Sequence, residues 1–316
     1  MPRPDPPPAW GGCSDWSSID ALSIILDGGM GRELHRMGAP FRQPEWSALA
    51  LMLAPDTVAH AHQRFVDAGA EVITTNTYAL VPFHIGEKKF ETEAHTLADL
   101  AGGLARKVAN SAKRTVQVAG SLPPLFGSYR PDLFDAARAP EIIRPLIRGL
   151  SPHVDLWLAE TQSSVAEARF AKQALVGDAR PFWTSFTLDD ENDDPAEPRL
   201  RSGETVADAV GAMLDLGGDV ILFNCSQPEI MAGAVDAARA VRDVRGAKVR
   251  IGIYANAFPP QRDEAANEDL SDIRADLTPD RYAQFAQGWR DRGADIIGGC
   301  CGIGPEHIAA LRALRG

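Results

Sequence analysis

The sequence predicts a parallel (β/α)8 barrel in a single domain, and three observations carry that prediction. Short β-rich runs alternate with helical segments about eight times, as in a parallel α/β fold. The 316 residues suit one large barrel, which typically takes about 250 residues. Polar and chemically active side chains recur just past the ends of the apolar runs, where barrels gather their active-site loops.

Residues 1–20 are rich in Pro, Gly and Ser and lack the apolar core of a signal peptide, so they are expected to form a loose tail ahead of a barrel domain over 21–316. The first strand is expected at 23–26, running into Asp27-Gly28-Gly29-Met30-Gly31 and a short helix around 33–37. A helix over 56–67 follows Pro55, and Gly69 separates it from a second strand at 71–78. A long helical stretch over 93–113 leads to the third strand, 116–120, and to a loop with Pro123 and Pro124. The fourth strand, 155–159, ends in Glu160-Thr161; the fifth spans 181–187, the sixth 220–223, the seventh 250–254 and the eighth 294–297. Pro305 suits the first turn of a closing helix. Two connections, 189–201 and 257–279, are long and polar, and loops of that length in a compact domain tend to be lids or disordered insertions.

With 45% hydrophobic residues the chain can bury a substantial core, and no apolar run reaches the 18 residues that would mark a membrane span. The 43 Asp and Glu against 32 Lys and Arg give a net charge of -11. That balance argues against a nucleic-acid surface and mildly favours cationic ligands, although acidity also serves solubility. Four cysteines, Cys13, Cys225, Cys300 and Cys301, are too few and too unevenly placed for a disulfide scaffold, so a reducing, cytoplasmic setting is expected. Cys13 lies in the tail and is read as incidental. The sequence specifies no oligomeric state.

The chemistry concentrates at Gly298-Gly299-Cys300-Cys301-Gly302, where two adjacent thiols sit among glycines at the end of an apolar run. Neighbouring side chains of a strand point to opposite faces, so both sulfurs can reach one point only if the backbone turns there, which glycine permits. A metal ion is such a point. A catalytic zinc takes three protein ligands and leaves a fourth position open, and Cys225 in Asn224-Cys225 is the candidate third ligand. In a parallel barrel these residues share a face with Asp27, Thr75, Asn76, Tyr78, Glu160 and Asn256. Other readings compete. Asp27 can be a turn residue or cap, Thr161 a helix cap, and Asn76, Tyr78 and Asn224 can merely satisfy loop backbone. His307 can close a structural Cys3His site, and Cys300 with Cys301 can form a vicinal disulfide.

Taken together, Leu26-Asp27-Gly28-Gly29-Met30, Thr74 to Tyr78, Glu160-Thr161, Asn224-Cys225, Tyr254 to Phe258, Gly298 to Gly302 and Pro305 to Ile308 resemble the homocysteine S-methyltransferases. The resemblance runs over about residues 22–316. It implies a zinc-dependent (β/α)8 barrel that transfers a methyl group to the sulfur of homocysteine, forming methionine. Cys225, Cys300 and Cys301 would hold Zn2+, and Asp27 and Glu160 would bind the amino group of homocysteine. Gly28, Thr75, Asn76, Tyr78 and Asn224 belong to the same substrate-binding blocks. Arg32 departs from the pattern, standing where many relatives carry a small Thr.

Betaine-using members carry a long C-terminal extension, and folate-dependent relatives need further modules. The expected methyl donor is therefore a sulfonium compound, S-methylmethionine or S-adenosylmethionine. The alternatives are betaine or another onium donor, another thiol or selenol acceptor, a thiol-disulfide protein, or a zinc-holding barrel without turnover.

Overall fold

The computed structural model describes residues 24–191, 194–260 and 272–314. The tail expected at 1–20 lies outside the described residues, as does part of the connection expected at 257–279.

All eight expected strands are present: β1 Ile24–Ile25, β2 Val72–Thr74, β3 Gln117–Leu122, β4 Leu156–Gln162, β5 Phe182–Phe186, β6 Val220–Asn224, β7 Arg250–Tyr254 and β8 Ile296–Ile297. Every pairing is parallel, in the order β1-β8-β7-β6-β5-β4-β3-β2. A parallel bridge between Leu26 and Val72 closes the ring, supported by Glu71 N–H donating to the Ile25 carbonyl at 2.7 Å and Asp27 N–H to the Val72 carbonyl at 3.0 Å. Parallel strands need long crossovers, and helices supply them.

Helix boundaries follow local chemistry. Pro55, Pro279 and Pro305 each occupy the first helical turn, where a missing N–H costs nothing. Ser164, Thr205 and Thr278 cap helices by accepting the backbone N–H of Glu167, Asp208 and Arg281. The cap after β4 is thus Ser164, whereas Thr161, the candidate cap in the sequence, lies inside the strand. No helix among the described residues is long and apolar enough to cross a membrane.

The core divides in two. Outside the strands, buried side chains such as Phe65, Leu97, Ile143, Phe223 and Tyr282 fill the space between barrel and helices. Inside the ring sits a smaller cluster containing Leu26, Val72, Ala119, Leu158, Trp183, Leu222 and Ile296. Strand side chains alternate with period two, so the next inward positions towards the C-terminal ends are Thr74, Ser121, Glu160, Ser185, Asn224 and Gly298. The barrel interior changes from hydrocarbon to polar groups within one pleat, and the site opens on that polar layer.

Candidate active site

Three sulfurs meet above the polar layer. The Sγ atoms of Cys225, Cys300 and Cys301 lie within 4.8 Å of one another, and those of Cys225 and Cys300 are 3.2 Å apart. All three thiols are free, so the cysteines form no vicinal disulfide here. The backbone turn demanded by adjacent cysteines is present: Gly302, at φ +84°, redirects the chain after Cys301. Cys225 follows directly on β6 and adopts φ 55°, the left-handed region that disfavours side-chain-bearing residues. Such strain persists where the surroundings enforce it and tends to mark functional positions.

The loop after β1 presses against the cysteine loop. Gly29 N–H donates to the Ile303 carbonyl at 2.9 Å and Gly299 N–H to the Asp27 carbonyl at 3.0 Å. A Cβ on Gly28 would stand 2.3 Å from the Ile303 carbonyl oxygen, and one on Gly29 would stand 2.5 Å from that of Cys300. Glycine is therefore required for this approach, which brings Asp27 and the sulfurs to one cavity.

Asp27 is buried. Its carboxylate accepts the Thr74 backbone N–H at 2.7 Å and the Thr74 hydroxyl at 3.1 Å, so it works neither as a helix cap nor as a local turn residue. Glu160, also buried, accepts the hydroxyl of Ser121. Among the described residues neither carboxylate has a basic side-chain partner. Burial pushes the Asp27 carboxyl up to about 7, opposed by the Thr74 hydrogen bonds and reinforced by the charge of Glu160. Burial likewise raises Glu160 to about 7, against its bond from Ser121 and with the charge of Cys225 adding to the rise. Both carboxyls are poised to ionise fully when a cation arrives.

The cavity, about 150 Å³, is lined by these carboxylates, the three cysteines, Gly28, Arg32, Thr75, Asn76 and an aromatic set of Trp46, Tyr78, Tyr129, Tyr254 and Phe258. Thr75 and Asn76 border it with their polar groups already engaged. The Thr75 hydroxyl accepts the Ser121 N–H at 3.0 Å, and the Asn76 amide donates to the Ser47 carbonyl at 3.1 Å. The Tyr78 hydroxyl is 2.7 Å from that of Ser128. Asn224 lies beneath the cavity and ties neighbouring strands together. Its Oδ1 accepts from Thr161 N–H at 3.1 Å and Ser185 Oγ at 2.7 Å, while its Nδ2 donates to Thr161 Oγ1 at 2.8 Å. Arg32 stacks over Phe258 with 5.2 Å from the guanidinium carbon to the ring centroid, and its charge helps to lower the Cys301 thiol.

His307 stands apart from the sulfurs. Its Nδ1 accepts from Gly304 N–H at 3.2 Å and its Nε2 faces the Leu277 carbonyl at 3.0 Å, so the protonated nitrogen is Nε2 and both nitrogens are occupied. Asn256 is buried and bonds Phe258 N–H at 3.3 Å.

The donor set suits a thiophilic ion. A tetrahedral ion with sulfur bonds of ~2.3 Å spaces its sulfurs roughly 3.8 Å apart, within the reach of this cluster. Contacts with the Cys225 and Cys301 sulfurs, then burial, hold the Cys300 thiol well above its ordinary range. The same sulfur contacts, with help from Arg32, hold Cys301 well below it. Crowded together and buried, the three thiols do not all ionise unaided, and a divalent cation would allow them to.

Reading the sequence did not find Ser121, Ser185 or Tyr129, and it placed Tyr254 in a family block without giving it a role. Ser121 and Ser185 follow from carrying the period-two inward face one step beyond the apolar residues. Tyr129 sits in the loop after β3, at φ 65°, and its hydroxyl donates to Cys225 Sγ at 3.0 Å. No local pattern marks it.

A family model described as homocysteine S-methyltransferase matches residues 24–314. Homocysteine S-methyltransferase 1 of Zea mays is 26% identical, over 92% of this chain and 94% of its own. The selenocysteine Se-methyltransferase of Brassica oleracea var. italica is 24% identical, over 91% of this chain and 87% of its own. The metallated form of the homocysteine methyltransferase MmuM from Escherichia coli superposes with a TM-score of 0.73 at 25% identity, covering 92% of this chain and 96% of that one.

Proposed function

The chain belongs to the homocysteine S-methyltransferase family, and from that premise we propose that it is a zinc enzyme that methylates homocysteine from a sulfonium donor, S-methylmethionine or S-adenosylmethionine. One observation carries the reading: three converging thiols and two buried, cation-seeking carboxylates line the same cavity.

Asp27 and Glu160 take the amino group of the acceptor. Binding an ammonium ionises both carboxyls and forms charge-assisted hydrogen bonds, which orient the amino acid with its sulfur towards the cysteines. Zinc held by Cys225, Cys300 and Cys301 would supply the acidity that keeps the acceptor sulfur deprotonated at neutral pH. Trp46, Tyr78 and Tyr254 line the cavity with aromatic rings, which favour the positive charge of an onium donor. With acceptor and donor in line, a bond forms from the acceptor sulfur to the methyl carbon as the donor's sulfur–methyl bond breaks. The donor leaves as a neutral thioether, so no general acid is needed.

Protein purified under reducing, chelator-free conditions is expected to hold about one zinc per chain. The zinc-replete enzyme with homocysteine should form methionine from S-methylmethionine or S-adenosylmethionine and little from betaine. Absence of zinc, or activity with betaine alone, overturns the reading. A relative named for selenocysteine supports a second acceptor class, which competition between homocysteine and a selenol amino acid tests.

A further inference from the structure

We infer that Tyr129 and Arg201 position the thiol of Cys225 and moderate its electron density, so that the loops after β3 and β5 belong to the metal site. The inference rests on the metal reading above and adds a positioning role beyond the three cysteines.

The contacts form a closed circuit. The buried Tyr129 phenol donates to Cys225 Sγ at 3.0 Å and lies 3.3 Å from the Cys225 carbonyl oxygen. Arg201 lies over the Tyr129 ring, its guanidinium carbon 3.9 Å from the centroid. The guanidinium is paired with Asp190 at 3.1 Å, with side chains only 2% and 0% exposed, and its Nε donates to Thr187 Oγ1 at 3.3 Å. Asp190 in turn accepts the backbone N–H of Gln227 at 3.0 Å, two residues past Cys225. The first and last of these contacts fall on the loop that presents Cys225.

The connection over 189–201 therefore packs down beside the site. It is pinned by bridges from Leu188 to Leu200 and from Arg199 to Thr205, with residues 192–193 outside the described chain. The chemistry of the circuit is directional. A hydrogen bond to sulfur withdraws electron density from a thiolate and fixes its orientation, as outer contacts do at other metal sites. A cation over the ring polarises the phenol towards donation and locks its plane. Both Tyr129 and Cys225 hold positive φ values, 65° and 55°, so the hydrogen bond joins two backbone positions that pay for their placement.

The test uses the full chain as wild type, Tyr129→Phe and Arg201→Gln, each verified as folded by circular dichroism. Two readouts are taken: zinc retention against a chromophoric chelator, and the thiolate-to-metal charge-transfer band of the cobalt-loaded protein. Tyr129→Phe keeps the ring under Arg201 and removes one oxygen. It should weaken metal binding by about 10- to 100-fold and move the cobalt band to lower energy. Arg201→Gln should move both readouts the same way by less. A merely structural tyrosine would lower thermal stability and leave the band in place, and that result overturns the inference, as does unchanged retention. Should Tyr129→Phe not fold, Arg201→Gln decides by the same two readouts. A wild-type protein that takes up neither zinc nor cobalt would instead defeat the metal reading itself.

Discussion

Two layers of one barrel interior, a single pleat apart, are built to opposite rules. The lower layer, with Leu26, Val72, Leu158, Trp183, Leu222 and Ile296, is hydrocarbon packed against hydrocarbon. The upper layer sets Thr74, Ser121, Glu160, Ser185 and Asn224 on the same strands two residues later. Below, each buried side chain stabilises the fold by roughly 1.5–3 kcal/mol. Above, buried carboxyls raised to about 7 cost stability at neutral pH, because the folded state resists their ionisation. The fold is held by the first layer and gives up part of its stability in the second, where charge waits for a ligand.

The contrast can be broken at three depths. Leu222→Ala, at a fully buried position, should cost about 2–5 kcal/mol in denaturant unfolding. A loss below about 1 kcal/mol would mean that the hydrocarbon layer is not what holds the ring. One pleat higher, Glu160→Gln should leave the fold intact and zinc content near normal while lowering kcat/KM for homocysteine roughly tenfold or more, the scale of a lost charged hydrogen bond. Loss of zinc or of folding in that variant would identify Glu160 as a structural carboxylate.

The third test is a pH slope at Asp27. Its folded value of about 7 lies above the ordinary 3.8, so between those values the folded state holds a proton that the unfolded chain releases. Stability from this group is full below about pH 4, falls as pH rises and levels off above about 7. The Tm of Asp27→Asn relative to wild type should therefore climb across that window. Parallel Tm curves from pH 4 to 8 would show that Asp27 is not held protonated.

The sequence made the eight strands and the three sulfurs legible because both depend on local pattern: apolar runs of strand length, and cysteines among glycines. It was less informative about strand ends. The run over 71–78 looks uniformly strand-like, yet β2 stops at Thr74 because Thr75 and Thr77 turn their hydroxyls to the backbone of Ser121. The opposite happens in β4, which continues past Ala159 through Glu160 to Gln162, with a register shift and Thr161 at φ 58°. Strand ends are decided by partners across the sheet, which no single run contains. The circuit through Tyr129, Arg201 and Asp190 was invisible for the same reason, since its members come from loops more than 50 residues apart.

Whether the three sulfurs form an open metal site on a barrel that stands without it is tested most directly by zinc bound per chain in Cys300→Ala, measured beside His307→Ala and with thermal melting as the check on folding. A folded Cys300→Ala protein with little zinc and no methyl transfer is expected, and a His307→Ala protein that keeps its zinc. A Cys300→Ala protein that unfolds, joined with loss of zinc from His307→Ala, would contradict this expectation and make the site a structural one.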